Sequence, residues 1–191
     1  MSFLIVRSGG LSTTVQDNGR DGRYAIGMPP SGAVDQYSFA VANVLVGNPD
    51  GAAALEATYL GPELEFTDSR TVAVTGADGG VTINGEPAPA WQALRVSAGD
   101  VLAVQQVRAG ARPYIAVGGG IDVPPYLGSR STYMLTGIGG FQGRALISGD
   151  QLPLGEPGPA PPTAPRCPRS CARISRRRPN SGSSSGCAPT G

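Results

Sequence analysis

The chain has 191 residues, enough for one domain with a buried core, and a formal net charge of only +1. It has no histidine and no lysine, which excludes an imidazole base or metal ligand, a Schiff base and a phosphate-binding lysine. Residues 1–156 hold all fourteen acids and nine of the fifteen arginines, a net −5, which argues against nucleic acid as a partner.

Ser2-Phe3-Leu4-Ile5-Val6-Arg7 reads as a first strand. It is too short, and lacks the basic lead-in, for a signal-peptide core. No apolar run approaches the roughly 18 residues of a membrane span, so a cytoplasmic protein without a membrane partner is expected. Asp17 to Arg23 is a glycine-hinged polar loop, and Pro29-Pro30-Ser31-Gly32 leads it into a helix over about 35–46. Asp35 suits the N-cap and Gly47 the left-handed C-terminal position. Tyr37, Val41, Val44 and Leu45 recur at helical spacing and predict the apolar face. A polar loop entering a helix N-terminus is also a plausible anion site, with Arg20 and Ser31 within reach.

Short β-prone runs follow: Leu64–Phe66, Thr71–Thr75, Val81–Ile83, Trp91–Val96, Val101–Gln106 and Arg112–Val117. Asn84-Gly85 is a two-residue hairpin signal. Turns at this spacing predict a mainly β barrel or sandwich rather than a βαβ sheet. Residues 96–104 echo residues 146–154, each read as strand, Gly-Asp turn, then alternating strand; a recurring β-turn explains this. Beyond Leu154 the composition turns to Pro, Ser, Gly, Ala and Arg, so 1–155 reads as the body and 156–191 as a disordered, truncated or frame-shifted tail. Cys167, Cys171 and Cys187 all lie in that tail, and without histidine they fill no tetrahedral zinc site on their own, so no metal is expected.

Read from Gln16 to Asn48, the pattern QDxGRxGxxxxGxPxSGAxDxxSxxxANxLVGN resembles the biotin-dependent carboxyltransferase family, subdomains A and B. Leu55-Glu56-Ala57-Thr58, Thr75-Gly76-Ala77, residues 114–121, Leu127-Gly128-Ser129-Arg130-Ser131-Thr132 and Gly149-Asp150 extend the likeness over about residues 3–155. The family includes the C component of ATP-dependent 5-oxoprolinase, allophanate hydrolase subunit 2 and the antagonist of a sporulation-kinase inhibitor. The resemblance implies a cyclophilin-like β-barrel. It also implies one component of a three-part enzyme that opens the lactam of 5-oxoproline at the expense of ATP. Its partners would be the B-like component, built from carboxyltransferase subdomains C and D, and a third 5-oxoprolinase component. The alternatives are a biotin-dependent urea carboxylase or allophanate component, and a non-catalytic binder of a kinase inhibitor. Such relatives run roughly twice as far, so turnover is expected only with partner components and not from this chain alone.

The residues themselves offer an anion-compatible, lysine-free set. Arg130 stands among Ser129, Ser131 and Thr132 after the Gly118-Gly119-Gly120 loop; guanidinium binds carboxylate or phosphate through two parallel bonds, and a surface turn is the plain alternative. Asp17 and Asp35 suit a general base, or a tie to Arg20 or Arg23 and a helix cap respectively. Glu56, in an apolar run, is expected to be buried and paired or perturbed. Gln16, Asn43 and Asn48 suit an amide substrate. Gly137-Ile138-Gly139-Gly140 follows no βαβ pattern and is no dinucleotide loop, and the lack of histidine leaves no serine triad.

Overall fold

The computed structural model describes residues 2–158. The expected tail therefore lies almost wholly outside the described residues. Among the described residues eleven strands form two antiparallel sheets, and one α-helix lies on the outer face of one of them. The strands are β1 (Phe3–Ser8), β2 (Thr13–Gln16), β3 (Ala54–Ala57), β4 (Glu63–Phe66), β5 (Arg70–Asp78) and β6 (Val81–Ile83). They continue with β7 (Glu86–Ala88), β8 (Leu94–Val96), β9 (Val101–Val104), β10 (Ala109–Val117) and β11 (Gln151–Pro153). One sheet runs β11-β1-β4-β9-β6-β7 and the other β2-β3-β10-β5-β8. The mainly β reading holds.

Alternation along the strands puts one face of each sheet into a shared core. Leu4, Val6, Leu64, Phe66 and Leu102 come from the first sheet and meet Val15, Leu55, Val72, Val74, Ile115 and Val117 from the second. The other face of the second sheet carries helix α1 (Gln36–Val46). Ala54, Ala73 and Ala116 are small there, which lets Phe39, Ala42 and Leu45 settle close to the strands. Phe39 meets Tyr114 edge to face, ring centroids 6.3 Å apart.

Asp35 caps α1 as expected: its carboxylate accepts from the Ser38 N–H at 3.0 Å and the Ser38 hydroxyl at 2.5 Å. Gly47 closes the helix at φ 77°. The apolar face is rotated from the predicted one. Ser38, Phe39, Ala42, Asn43, Leu45 and Val46 are buried, while Tyr37 and Val44 are exposed. The buried Ser38 and Asn43 explain the difference, because hydrogen bonds let polar residues face the sheet where the pattern called for apolar ones.

The Asn84-Gly85 hairpin is present, with φ of 53° and 84° between β6 and β7. Trp91–Val96 is shorter than predicted: only Leu94–Val96 is strand, because Trp91 takes φ 63°. Thr71–Thr75 extends to Arg70–Asp78, and β2 and β3 had no separate sequence signal.

The internal echo is a pair of docked turns. Gly99 donates to the Phe66 carbonyl and Phe66 to that of Asp100; likewise Gly149 donates to Val6 and Val6 to Asp150. In each turn the aspartate carboxylate also accepts the N–H three residues back, Ser97 or Ile147. The two turns thus sit on adjacent strands, β4 and β1, in the same manner. No strand precedes the second one.

Arg144 donates to both oxygens of Asp150, at 2.7 and 2.8 Å, and holds that carboxyl below its usual range. A depressed carboxyl stabilises the fold above its unfolded pKa of about 4 and loses that contribution as pH falls through the folded value. Asp150→Asn is expected to cost about 1–2 kcal/mol at pH 7, discounted because Arg144 is partly exposed. Chemical denaturation at pH 7 and below pH 3 checks this. A gap of the same size at both pH values contradicts it.

Candidate functional site

Strand register builds one polar row across the helix-bearing face of the second sheet. Thr14 on β2 lies opposite Glu56 on β3, Glu56 opposite Tyr114 on β10, and Tyr114 opposite Thr75 on β5. Glu56 is only 4% exposed. One carboxylate oxygen accepts the Tyr114 hydroxyl at 2.7 Å and the Val34 N–H at 2.9 Å; the other accepts Arg112 Nη1 at 3.1 Å. The expectation of a buried, paired Glu56 holds. Burial, and the neighbouring Glu56, push the Tyr114 hydroxyl well above the ordinary phenol range, against the Asp35 N–H that it accepts. Tyr114 therefore stays neutral and relays a hydrogen bond from the start of the helix to Glu56.

Arg112 links this row to the surface. Its Nη1 also donates to the Thr58 hydroxyl at 2.6 Å, and its side chain is 39% exposed. Among the described residues Nε and Nη2 have no acceptor. Arg112 lines a cleft of 470 Å³ between the start of α1 (Asp35, Tyr37, Ser38), the Gly76-Ala77 bend of β5, Trp91, and Ala109 to Ala111. The bend has a backbone cause. Pro113 faces Gly76 where the β5–β10 register shifts, and proline is tolerated in a sheet at such a bulge. Gly76 sits at φ 83°, and a Cβ there would lie 2.2 Å from the Arg112 carbonyl oxygen. Only glycine lets the two strands approach in this way.

The other residues expected to form a site fall into two self-satisfied locks. In the first, the Asp17 carboxylate accepts from Gly19 N–H at 2.8 Å, the Ser129 hydroxyl at 2.6 Å, the Arg130 N–H at 2.5 Å and the Ser131 hydroxyl. Asp17 thus ties the loop to residues 129–131, not to Arg20 or Arg23. Arg20, 3% exposed, donates to the carbonyls of Ser131 and Tyr126 and to the Ser31 hydroxyl. Thr132 bonds along β2 through the Val15 carbonyl, and Gln16 donates to Thr14 and to the Thr132 carbonyl. Buried Gln16 Oε1 has no partner among the described residues. The Arg130 side chain, 38% exposed, turns to the Val123 carbonyl and to Asp122 at 3.0 Å, away from the three hydroxyls beside it in sequence.

The second lock closes the helix end. Asn43 donates to the Ala52 carbonyl and accepts from Asn48; Asn48 donates to the Val117 carbonyl and accepts the Gly119 N–H. The Gly118 and Gly120 N–H groups go to the Thr71 and Val117 carbonyls. The glycine loop therefore presents no free N–H group to an anion. Of the expected residues, only Asp35 lines the cleft and only Glu56 stands directly behind it. Arg112, Tyr114 and Trp91 were not singled out for chemistry. The one available signal was Gly76 inside a strand, which marks a bulge or a close backbone approach.

The described residues form a mainly β domain with one α-helix laid beside a buried glutamate that holds a half-exposed arginine. This chain belongs to the carboxyltransferase domain family, subdomains A and B, whose family model matches residues 26–185. It is 46% identical to the urea amidolyase of Lachancea kluyveri over 80% of this chain and 8% of that protein. It is 42% identical to the C component of 5-oxoprolinase from Escherichia coli over 80% of this chain and 49% of the relative. The solved structure of the K. lactis urea amidolyase overlays with a TM-score of 0.82 at 43% identity, covering 88% of this chain and 11% of that one. The chain spans about half the length of the 5-oxoprolinase relative and under a tenth of the urea amidolyase. Among the described residues no helix is long and apolar enough to cross a membrane.

Proposed function

We propose that this chain is the N-terminal portion of a C-type component of 5-oxoprolinase, which opens the lactam of 5-oxoproline together with a B-like component and a third one. The observation that carries this reading is Arg112, held by buried Glu56 at the wall of a cleft sized for a small molecule. 5-Oxoproline combines a lactam with a carboxylate, and in a lysine-free chain arginine is the side chain that meets a carboxylate with a full charge. In this reading Asp35 is the acid–base candidate that lines the cleft, Glu56 and Tyr114 position Arg112, and ATP is the co-substrate of the assembled complex. Tyr24 and Ile26, exposed on a short 3-10 turn, and exposed Leu135 support association with the partners. Asp17, Arg20, Ser31, Ser129, Arg130, Ser131 and Thr132 hold those loops in shape.

A second reading, carboxyl transfer from biotin in a urea carboxylase-type system, is favoured by the 46% identity to a urea amidolyase. Reconstitution separates the two. The complex of this chain with its partner components is expected to release glutamate from 5-oxoproline only when ATP is present, with Arg112→Ala nearly inactive. ATP-independent carboxyl transfer from carboxybiotin to urea, with no glutamate formed, overturns the first reading in favour of the second.

A further inference from the structure

We infer that Arg112 and Trp91 form a two-point site that selects a five-membered ring bearing a carboxylate, and rejects the same ring without one. This rests on the lactam reading above for the identity of the ligand, though not for the existence of the site.

Arg112 carries its Glu56 and Thr58 bonds on Nη1 alone. Nε and Nη2 form one edge of the guanidinium fork, the edge that a carboxylate meets with two parallel bonds. Glu56 fixes the plane of that fork in advance, so little rotamer freedom is lost on binding. The Asp35 carboxylate, on a residue that also lines the cleft, is turned onto Ser38. A ligand carboxylate is therefore drawn to the open edge of Arg112 and repelled by the Asp35 carboxylate.

Trp91 supplies the second point. It holds φ 63°, a region costly for a large side chain, and its N–H is anchored on the Val74 carbonyl at 2.8 Å. Such strain persists where the surroundings over-determine a conformation, and it clusters at ligand clamps. Trp91 also lines a second, smaller cavity of 220 Å³, together with Gly76 and Asp78, so the indole stands between two spaces. Gly76 and Gly110 line the same cleft as Trp91.

The chain has a single tryptophan, so its own fluorescence reports on this site. The full chain is titrated with 5-oxoproline, with 2-pyrrolidinone (the lactam without its carboxylate), with 2-imidazolidinone (the cyclic urea), and with cyclopentanecarboxylate (the acid without the lactam). Both acids are expected to change Trp91 emission, and the two neutral rings to bind about tenfold or more weakly. Arg112→Ala and Arg112→Gln are expected to lose about tenfold for the acids only, Arg112→Lys less, and Arg95→Ala on the exposed side of β8 nothing. The wild-type comparison of acids with neutral rings needs no variant to fold. Equal affinity for acids and neutral rings, or no emission change with any of the four, overturns the inference. If cyclopentanecarboxylate binds through Arg112 and 5-oxoproline does not, the site stands and the lactam reading falls. If 5-oxoproline binds and Arg112→Ala leaves its affinity unchanged, the reading stands and the inference falls.

Discussion

Glu56→Ala is expected to lower the free energy of unfolding by about 3 kcal/mol, the low end of the 3–5 kcal/mol for removing one partner of a buried pair. Three donors lose their acceptor at once: the Tyr114 hydroxyl, the Val34 N–H and Arg112 Nη1. Arg112 is partly exposed and can turn to water, which sets the low end; Tyr114 is fully buried and cannot. Glu56→Gln keeps an oxygen for Tyr114 and presents an amide in place of a charge to Arg112, so it should fall between. Urea denaturation midpoints read both variants, and the double replacement of Glu56 and Arg112 should cost less than the sum of the single ones. A loss under 1 kcal/mol for Glu56→Ala would show that the row is not the brace described here.

Asp17→Ala should cost still more, about 3–5 kcal/mol, because the carboxylate is the common acceptor for four donors on two loops. Asp17→Asn should recover part of this: its remaining oxygen can take the place of Oδ1, which holds three of the four donors, while its amide nitrogen meets the Arg130 N–H donor to donor. The damage should be local. Hydrogen exchange is expected to quicken first in residues 17–34 and 126–143, with β1, β4 and β9 slower to follow. Uniform quickening across both sheets would mean that Asp17 braces the whole domain and not this loop pair.

How far the sequence reaches follows from the range of each interaction. The α1 cap, the Gly47 stop, the Asn84-Gly85 hairpin and the two Gly-Asp turns are settled by groups within a few residues of one another, and each was legible. The Glu56–Arg112 pair joins positions 56 residues apart in register-matched strands, and no periodicity announces it. β10 was legible only from Arg112 onward, since Gly110 read as a turn; the strand starts at Ala109, and the bulge opposite Gly76 accommodates Pro113. Arg130 drew notice through its hydroxyl neighbours; those of Ser129 and Ser131 turn to Asp17, that of Thr132 to the Val15 carbonyl, and the guanidinium finds Asp122. Adjacency in sequence placed the right residue types together and aimed them in different directions.

The pairing of β1 with β11 has a consequence during synthesis. β1 finds β4 once the chain has reached Phe66, through Leu4, Ile5 and Val6. Its other edge waits for Gln151 to Pro153. At about 5–20 residues per second, that interval lasts several seconds on the ribosome. Throughout it a Leu-Ile-Val strand stands with one row of N–H and C=O groups open, a template for any other nascent chain nearby. A chaperone that shields the first few residues until β11 emerges would raise the yield of folded protein more than one acting after release.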